Sequence, residues 1–212
     1  MVMLCANILA ILLSLFLFQS GNSIRLSEGG GPKLLEEKDV PPEPGVVVIE
    51  VEIGADGSVI GNDLIQGPPA YIERSRLALK DWKFTGVDPK SAPVHASVVF
   101  LYRPQHDIPD PPIAFSQPLP EDFDEEHHSP FPVIIVDPGY PLSGFGEGTV
   151  ILQVATDATG TVQNVDVISD VPSLSAATAE AVRNWKFHVP KNGKSGEISV
   201  VVAVYRSPKY AY

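Results

Sequence analysis

Apolar and polar positions alternate in two well-separated stretches of the chain, and each stretch predicts the same series of elements. Val46 to Ile53 and Thr149 to Thr156 are extended apolar runs. Each is followed by a turn that contains glycine, Ala55-Asp56-Gly57 or Ala158-Thr159-Gly160, and then by a second extended run to Ile65 or Ile168. Glycine there supplies the positive φ of a tight hairpin, so two adjacent antiparallel strands are expected. After Pro69 and Pro172 the apolar spacing changes to threes and fours. Tyr71, Ser75, Ala78, Leu79 and Trp82 form one helical face, as do Leu174, Thr178, Ala181, Val182 and Trp185. Ser173 and Ser175 are candidate caps for the second helix. A third apolar run, Val94 to Tyr102 or Ile198 to Tyr205, closes each series.

The two series are copies. Residues 45–103 and 148–206 align at a constant offset of 103, and 17 of the 59 positions are identical. About four would match by chance for typical residue frequencies. The identities include Gly57/Gly160, Pro69/Pro172, Trp82-Lys83-Phe84 with Trp185-Lys186-Phe187, and Tyr102-Arg103 with Tyr205-Arg206. The expected fold class is therefore α+β, with two tandem β-β-α-β units, each an antiparallel sheet packed on one helix.

Composition adds what surrounds these units. Residues 104–132 hold eight of the 21 prolines and seven acidic residues without Lys or Arg, which predicts an extended acidic spacer between independently folding halves. Residues 24–44 are a second, shorter linker. Residues 2–18 are apolar apart from Asn7 and Ser14. They are read as a signal peptide cleaved near Ser23 or as a retained N-terminal anchor in the cytoplasmic membrane, and either places the remainder in the periplasm or outside the cell. Contact with a membrane is expected only if that segment is retained. The second unit is assigned to residues 133–212.

The chain carries 15 basic against 26 acidic residues, a formal charge of −11, which excludes a phosphate-tracking nucleic-acid binder. A single cysteine, Cys5, excludes a disulfide scaffold and a cysteine-based zinc site. Glu125, Glu126, His127 and His128 are metal-capable types, but adjacent residues in a proline-rich stretch have no fixed geometry, and no metal or cofactor is expected. His95 and His188 do not align between the copies. Gly144 to Gly148 lacks the Gly-Lys-Ser/Thr ending of a phosphate loop. No catalytic constellation recurs in both copies, so the reading is not an enzyme.

The second copy resembles the C-terminal domain of TonB. Tyr140-Pro141, Gly148-Thr149-Val150, the turn Gly160, Ser173-Leu174 before an Ala-rich helix, and Ala181 to Phe187 carry the resemblance over about residues 135–206. The first copy resembles the same family more distantly and lacks the Tyr-Pro pair. The resemblance implies a module that takes up a short extended peptide of an outer-membrane transporter, or another envelope protein, as an added strand. It implies Glu197, Ile198, Ser199, Val200, Val201, Val202, Ala203, Val204 and Tyr205 as the accepting edge strand. Two alternatives stand beside it. The same edge could pair with the first copy or with a second chain in a homodimer, or the repeats could be structural parts of an envelope scaffold. The chain departs from energy-transducing TonB proteins in having no histidine between Val2 and Phe18.

Overall fold

The computed structural model describes residues 23–34, 44–125, 129–191 and 198–210. Residues 2–18, the metal-capable residues 126–128 and Glu197 lie outside the described residues. The chain forms β1 (Arg25–Glu28), β2 (Gly45–Ile53), β3 (Val59–Gln66), α1 (Pro69–Ala78), β4 (Lys83–Thr85) and β5 (Val94–Tyr102). It continues through β6 (Ile113–Ser116), β7 (Phe131–Asp137), β8 (Gly148–Thr156), β9 (Val162–Ser169), α2 (Ser175–Arg183), β10 (Lys186–His188) and β11 (Ile198–Tyr205).

The long strands of both halves join one six-stranded sheet in the order β3-β2-β5-β11-β8-β9. All neighbours are antiparallel except β5 and β11, which are parallel. The mixed sheet with two helices agrees with an α+β class. The expectation of two separate antiparallel sheets is corrected. Alternation along the shared strands explains why one sheet is preferred. Val98, Phe100, Val200, Val202 and Val204 enter a core with Tyr71 and Leu79 from the α1 side. The intervening Val99, Leu101, Val201 and Ala203 enter a second core with Leu174 and Val182 from the α2 side. Successive side chains of a strand point to opposite faces, so the two helices cover opposite faces of one sheet, and each core takes residues from both halves.

Local geometry repeats across the halves. Gly57 and Gly160 have φ of 77° and 73°, and a Cβ at either would collide with the carbonyl of Phe84 or Phe187. Those close approaches exist because the Phe84 and Phe187 N–H groups donate to the Gly57 and Gly160 carbonyls at 2.7 and 2.9 Å. The turns diverge in their carboxylates. Asp56 accepts from the backbone and hydroxyl of Ser58 and from Lys83, whereas Asp157 accepts from Thr159, Thr161 and Gln163. Neither candidate cap acts as one. Leu174 occupies the N-cap position of α2, the Ser175 hydroxyl bonds the Val171 backbone, and that of Ser173 bonds Phe145.

Trp82 and Trp185 follow their helices and are buried, at 1% and 0% exposure. Their indole N–H groups donate to the carbonyls of Gly30 and Val136 at 3.0 and 2.9 Å. Gly30 lies in the expected linker 24–44, whereas Val136 lies within the assigned second unit, ahead of its first predicted strand. β1, inside the expected linker 24–44, pairs with β4, and its Leu26 is buried. β7 spans the expected boundary at 132/133 and lies between β10 and β6 in a second, three-stranded sheet. The acidic spacer thus contributes β6 and the start of β7, and the expectation of an extended linker between independent halves is not met. Its neutral residues supply the reason. Ile113-Ala114-Phe115-Ser116 carries no charge, and Phe115 and Phe131 pack in the α2-side core.

Candidate functional site

The strand singled out as a partner-accepting edge sits in the middle of the sheet. Ser199 to Val204 pair in parallel with Ser97 to Tyr102 of β5. Ile198 to Tyr205 pair antiparallel with Ala155 to Gly148 of β8. Ser199 through Tyr205 are all buried, and Ile198 is half-buried. The free-edge assignment of residues 197–205 is therefore corrected for the described part, Ile198 to Tyr205. The pairing that stood as an alternative, with the first half, is the one observed. The cause is legible in the chain. Val200-Val201-Val202-Ala203-Val204-Tyr205 is apolar at odd and even positions alike, so both of its faces avoid water, whereas an edge covered on one face would alternate.

The parallel seam ends in a polar cluster. Arg103 follows β5 and is 3% exposed. Its Nε and Nη2 donate to Asp137 and Asp110, each at 2.5 Å, and its guanidinium lies 5.2 Å from the centre of the Tyr205 ring. Burial pulls the guanidinium pKa down, but the charges of Asp137 and Asp110 outweigh it and hold Arg103 above its ordinary value. The corresponding Arg206 approaches Glu147 at 3.8 Å. The tyrosines before these arginines are paired in the same way. Tyr102 Oη lies 2.8 Å from the Ser75 hydroxyl, and Tyr205 Oη lies 2.7 Å from that of Thr178. Burial, opposed by those hydrogen bonds, raises both phenol pKa values. Buried, paired and neutral, these tyrosines tie each helix to the seam and offer no general base.

Among the described residues β3 and β9 end the large sheet, β6 and the three-residue β10 end the three-stranded one, and β1 and β4 form a two-stranded sheet. The outer strands of the large sheet each carry an aspartate in mid-strand, Asp63 and Asp166, and each pairing has two register irregularities. Charges and bulges on an edge discourage further strand addition. β6 carries neither a charge nor a bulge. Beside it, an open groove is lined by Val46, Gln66, Gly67, Phe115, Ser116 and Gln117 together with Pro44, Pro68 and Pro118. Gln66 Oε1 and Gln117 Nε2 are both buried without a hydrogen-bond partner. Neither glutamine nor β6 was singled out from the sequence. The available signal was the uncharged, proline-free run Ile113 to Gln117 inside an otherwise acidic, proline-rich segment.

No group of three or more potential ligands among His, Cys, Asp and Glu is assembled among the described residues. No helix among them is long and apolar enough to cross a membrane. His95 and His188 make separate contacts, with Glu50 at 3.2 Å and with Glu125 at 3.0 Å.

Residues 146–205 match the sequence model of the family described as Gram-negative bacterial TonB protein C-terminal. The match runs from the loop before β8 through β11 and does not extend to the first half. No curated protein and no solved structure matches the chain.

Proposed function

We propose that this is a non-catalytic protein of the cell envelope, of TonB C-terminal type, which attaches to extended segments of outer-membrane transporters on their periplasmic side. The observation that carries the reading is the family match over residues 146–205, which covers a complete β-β-α-β-β series. The first half is read as a divergent copy of that series, on the strength of the shared offset of 103 and the paired Trp, Gly and Tyr-Arg positions. Periplasmic placement follows from the same family relation, with the apolar residues 2–18 as leader or anchor.

The attachment leaves the β5–β11 seam intact. A partner strand could reach Ile198–Tyr205 only by displacing β5 or β8, which would unpair six or eight register positions and open both cores. The attachment therefore uses an outer edge. Titration of the full-length protein with labelled peptides covering the periplasm-exposed segments of outer-membrane transporters tests the function. Saturable binding of at least one is expected; absence of binding by all of them would end the transporter reading.

A second reading, a structural repeat protein of the envelope, is favoured by one specific observation. The strand that the family resemblance marks as partner-accepting is paired on both sides within the chain. Under that reading the full set of transporter peptides fails to bind while the protein remains folded.

A further inference from the structure

We propose that the outer edge of β6 receives an extended, uncharged segment of a partner protein as a fourth strand of the small sheet. The proposal rests on the reading that this protein binds extended peptides, and it names the edge. Among the described residues β6 has one strand neighbour, β7. The pairing runs Ile113↔Asp137, Ala114↔Val136, Phe115↔Ile135 and Ser116↔Ile134. The N–H of the next residue, Gln117, donates to the Val133 carbonyl at 2.9 Å. Backbone groups alternate in direction along a strand, so Phe115 also turns its N–H and C=O towards β7. Ala114 and Ser116 turn theirs to the open edge, which leaves up to four backbone groups for an incoming strand.

The groove beside that edge supplies chemistry of the same kind. Gln66, at the end of β3, has an amide oxygen without a partner, and Gln117, at 6% exposure, has an amide nitrogen without one. An acceptor and a donor together match the N–H and C=O of a peptide main chain, and neither requires charge. Buried amide groups left unpaired are costly, so a segment that satisfies both gains more than surface contact would give. Neutral surroundings set the composition of the occupant. The groove lining includes Val46, Gly67 and Phe115 but no charged side chain, and Ile113 is 59% exposed beside it. Pro111 and Pro112 before β6, and Pro118 after it, lack backbone donors and limit the acceptor to a few residues. The partner strand is correspondingly short, on the order of four to five residues at about 3.3 Å each.

A pool of acetylated, amidated eight-residue peptides built from Val, Ile, Thr, Ser and Ala, added to the isotope-labelled full-length protein and followed by amide NMR, tests this edge. Shifts should concentrate on the Ala114 and Ser116 N–H groups and on the side-chain amides of Gln66 and Gln117. Ser116→Pro removes one outward donor without touching the β7 ladder, and should weaken binding about tenfold, the worth of one net hydrogen bond. Gln117→Leu, which leaves the backbone intact, should weaken it similarly and serves if the proline variant does not fold. Shifts centred on β3 or β9, or none at about 1 mM peptide, the weak limit of specific binding, would overturn the proposal. Transporter peptides that bind but shift only β9 would overturn this edge and leave the proposed function standing. A pool that shifts β6 while no transporter peptide binds would do the reverse.

Discussion

The two halves of this protein share a chain path but not a degree of self-sufficiency. In each half a tryptophan that follows the helix donates to a carbonyl of an upstream segment, a turn glycine approaches a phenylalanine carbonyl, and a tyrosine hydroxyl meets a Ser or Thr of the helix. The equivalent arginines have different surroundings. Arg103 is enclosed by Asp110, Asp137 and Tyr205, all from beyond its own half, whereas Arg206 meets Glu147 near the start of its own. The second half also has β6 and β7 laid along it, while the first is flanked by the four-residue β1. What the two halves have in common is a way of packing: each makes matching internal contacts and has a strand of the other half beside its closing strand.

The comparison breaks most visibly if a half is made to stand alone. Residues 45–103 and 133–212, expressed separately, are expected to lack a cooperative thermal transition in circular dichroism. Separation would expose Val98 and Phe100, or Val200 and Val202, which now share one core. A sharp melt from either fragment would show that the common sheet is docking between finished domains.

Next in size are the tryptophans. Trp82→Ala and Trp185→Ala should each cost about 3 to 5 kcal/mol in urea denaturation, the range for emptying a large buried aromatic site. Near-equal losses would support structural equivalence of the two halves; a loss below about 1 kcal/mol at one site, the ordinary scale for a surface change, would remove it.

The arginines should separate the halves. Arg103→Met leaves the carboxylates of Asp110 and Asp137 without their cation, and breaking a buried pair in this way costs about 3 to 5 kcal/mol. Arg206→Met should cost less, because its pairing with Glu147 is long, at 3.8 Å, and Glu147 is itself 48% exposed. Equal losses in chemical denaturation would refute the asymmetry.

The smallest effect is in the turns. Hydrogen bonds from Ser58 hold Asp56 down at about 2, and hydrogen bonds from Thr159 and Thr161 lower Asp157 in the same direction. A depressed folded-state pKa means that the carboxylates stabilise the fold above their ordinary value of 3.8, with that contribution lost as the pH falls towards about 2. Asp56→Asn with Asp157→Asn should flatten the stability profile across that window and change little at pH 7 beyond a constant offset. Both groups are fully exposed, so the change is modest. An unaltered slope would show that these turns do not sense protonation.

Much of the local structure was readable from residue spacing. The hairpins around Gly57 and Gly160, the helices opening near Pro69 and after Pro172, and the closing strands all lie where period and punctuation place them. Short-range sterics decide such features, and neighbours in sequence carry the whole cause. The family resemblance of the second half belongs with these, since a motif is itself a local pattern.

Tertiary structure decided which strand meets which. The run from Val200 to Tyr205 announces burial on both faces, yet nothing within it names β5 as the neighbour or fixes the pairing as parallel, because that depends on the Val98–Leu101 face of a strand about a hundred residues away. The role of the proline-rich segment was hidden for a related reason. Its charge and prolines dominate the composition, while the uncharged Ile113–Ser116 becomes a strand only where β7 offers a backbone edge and the second core accepts Phe115. Composition reports the average tendency of a segment to stay extended in water. The hydrogen bonds and apolar contacts that override that tendency exist only once distant parts of the chain have been brought together.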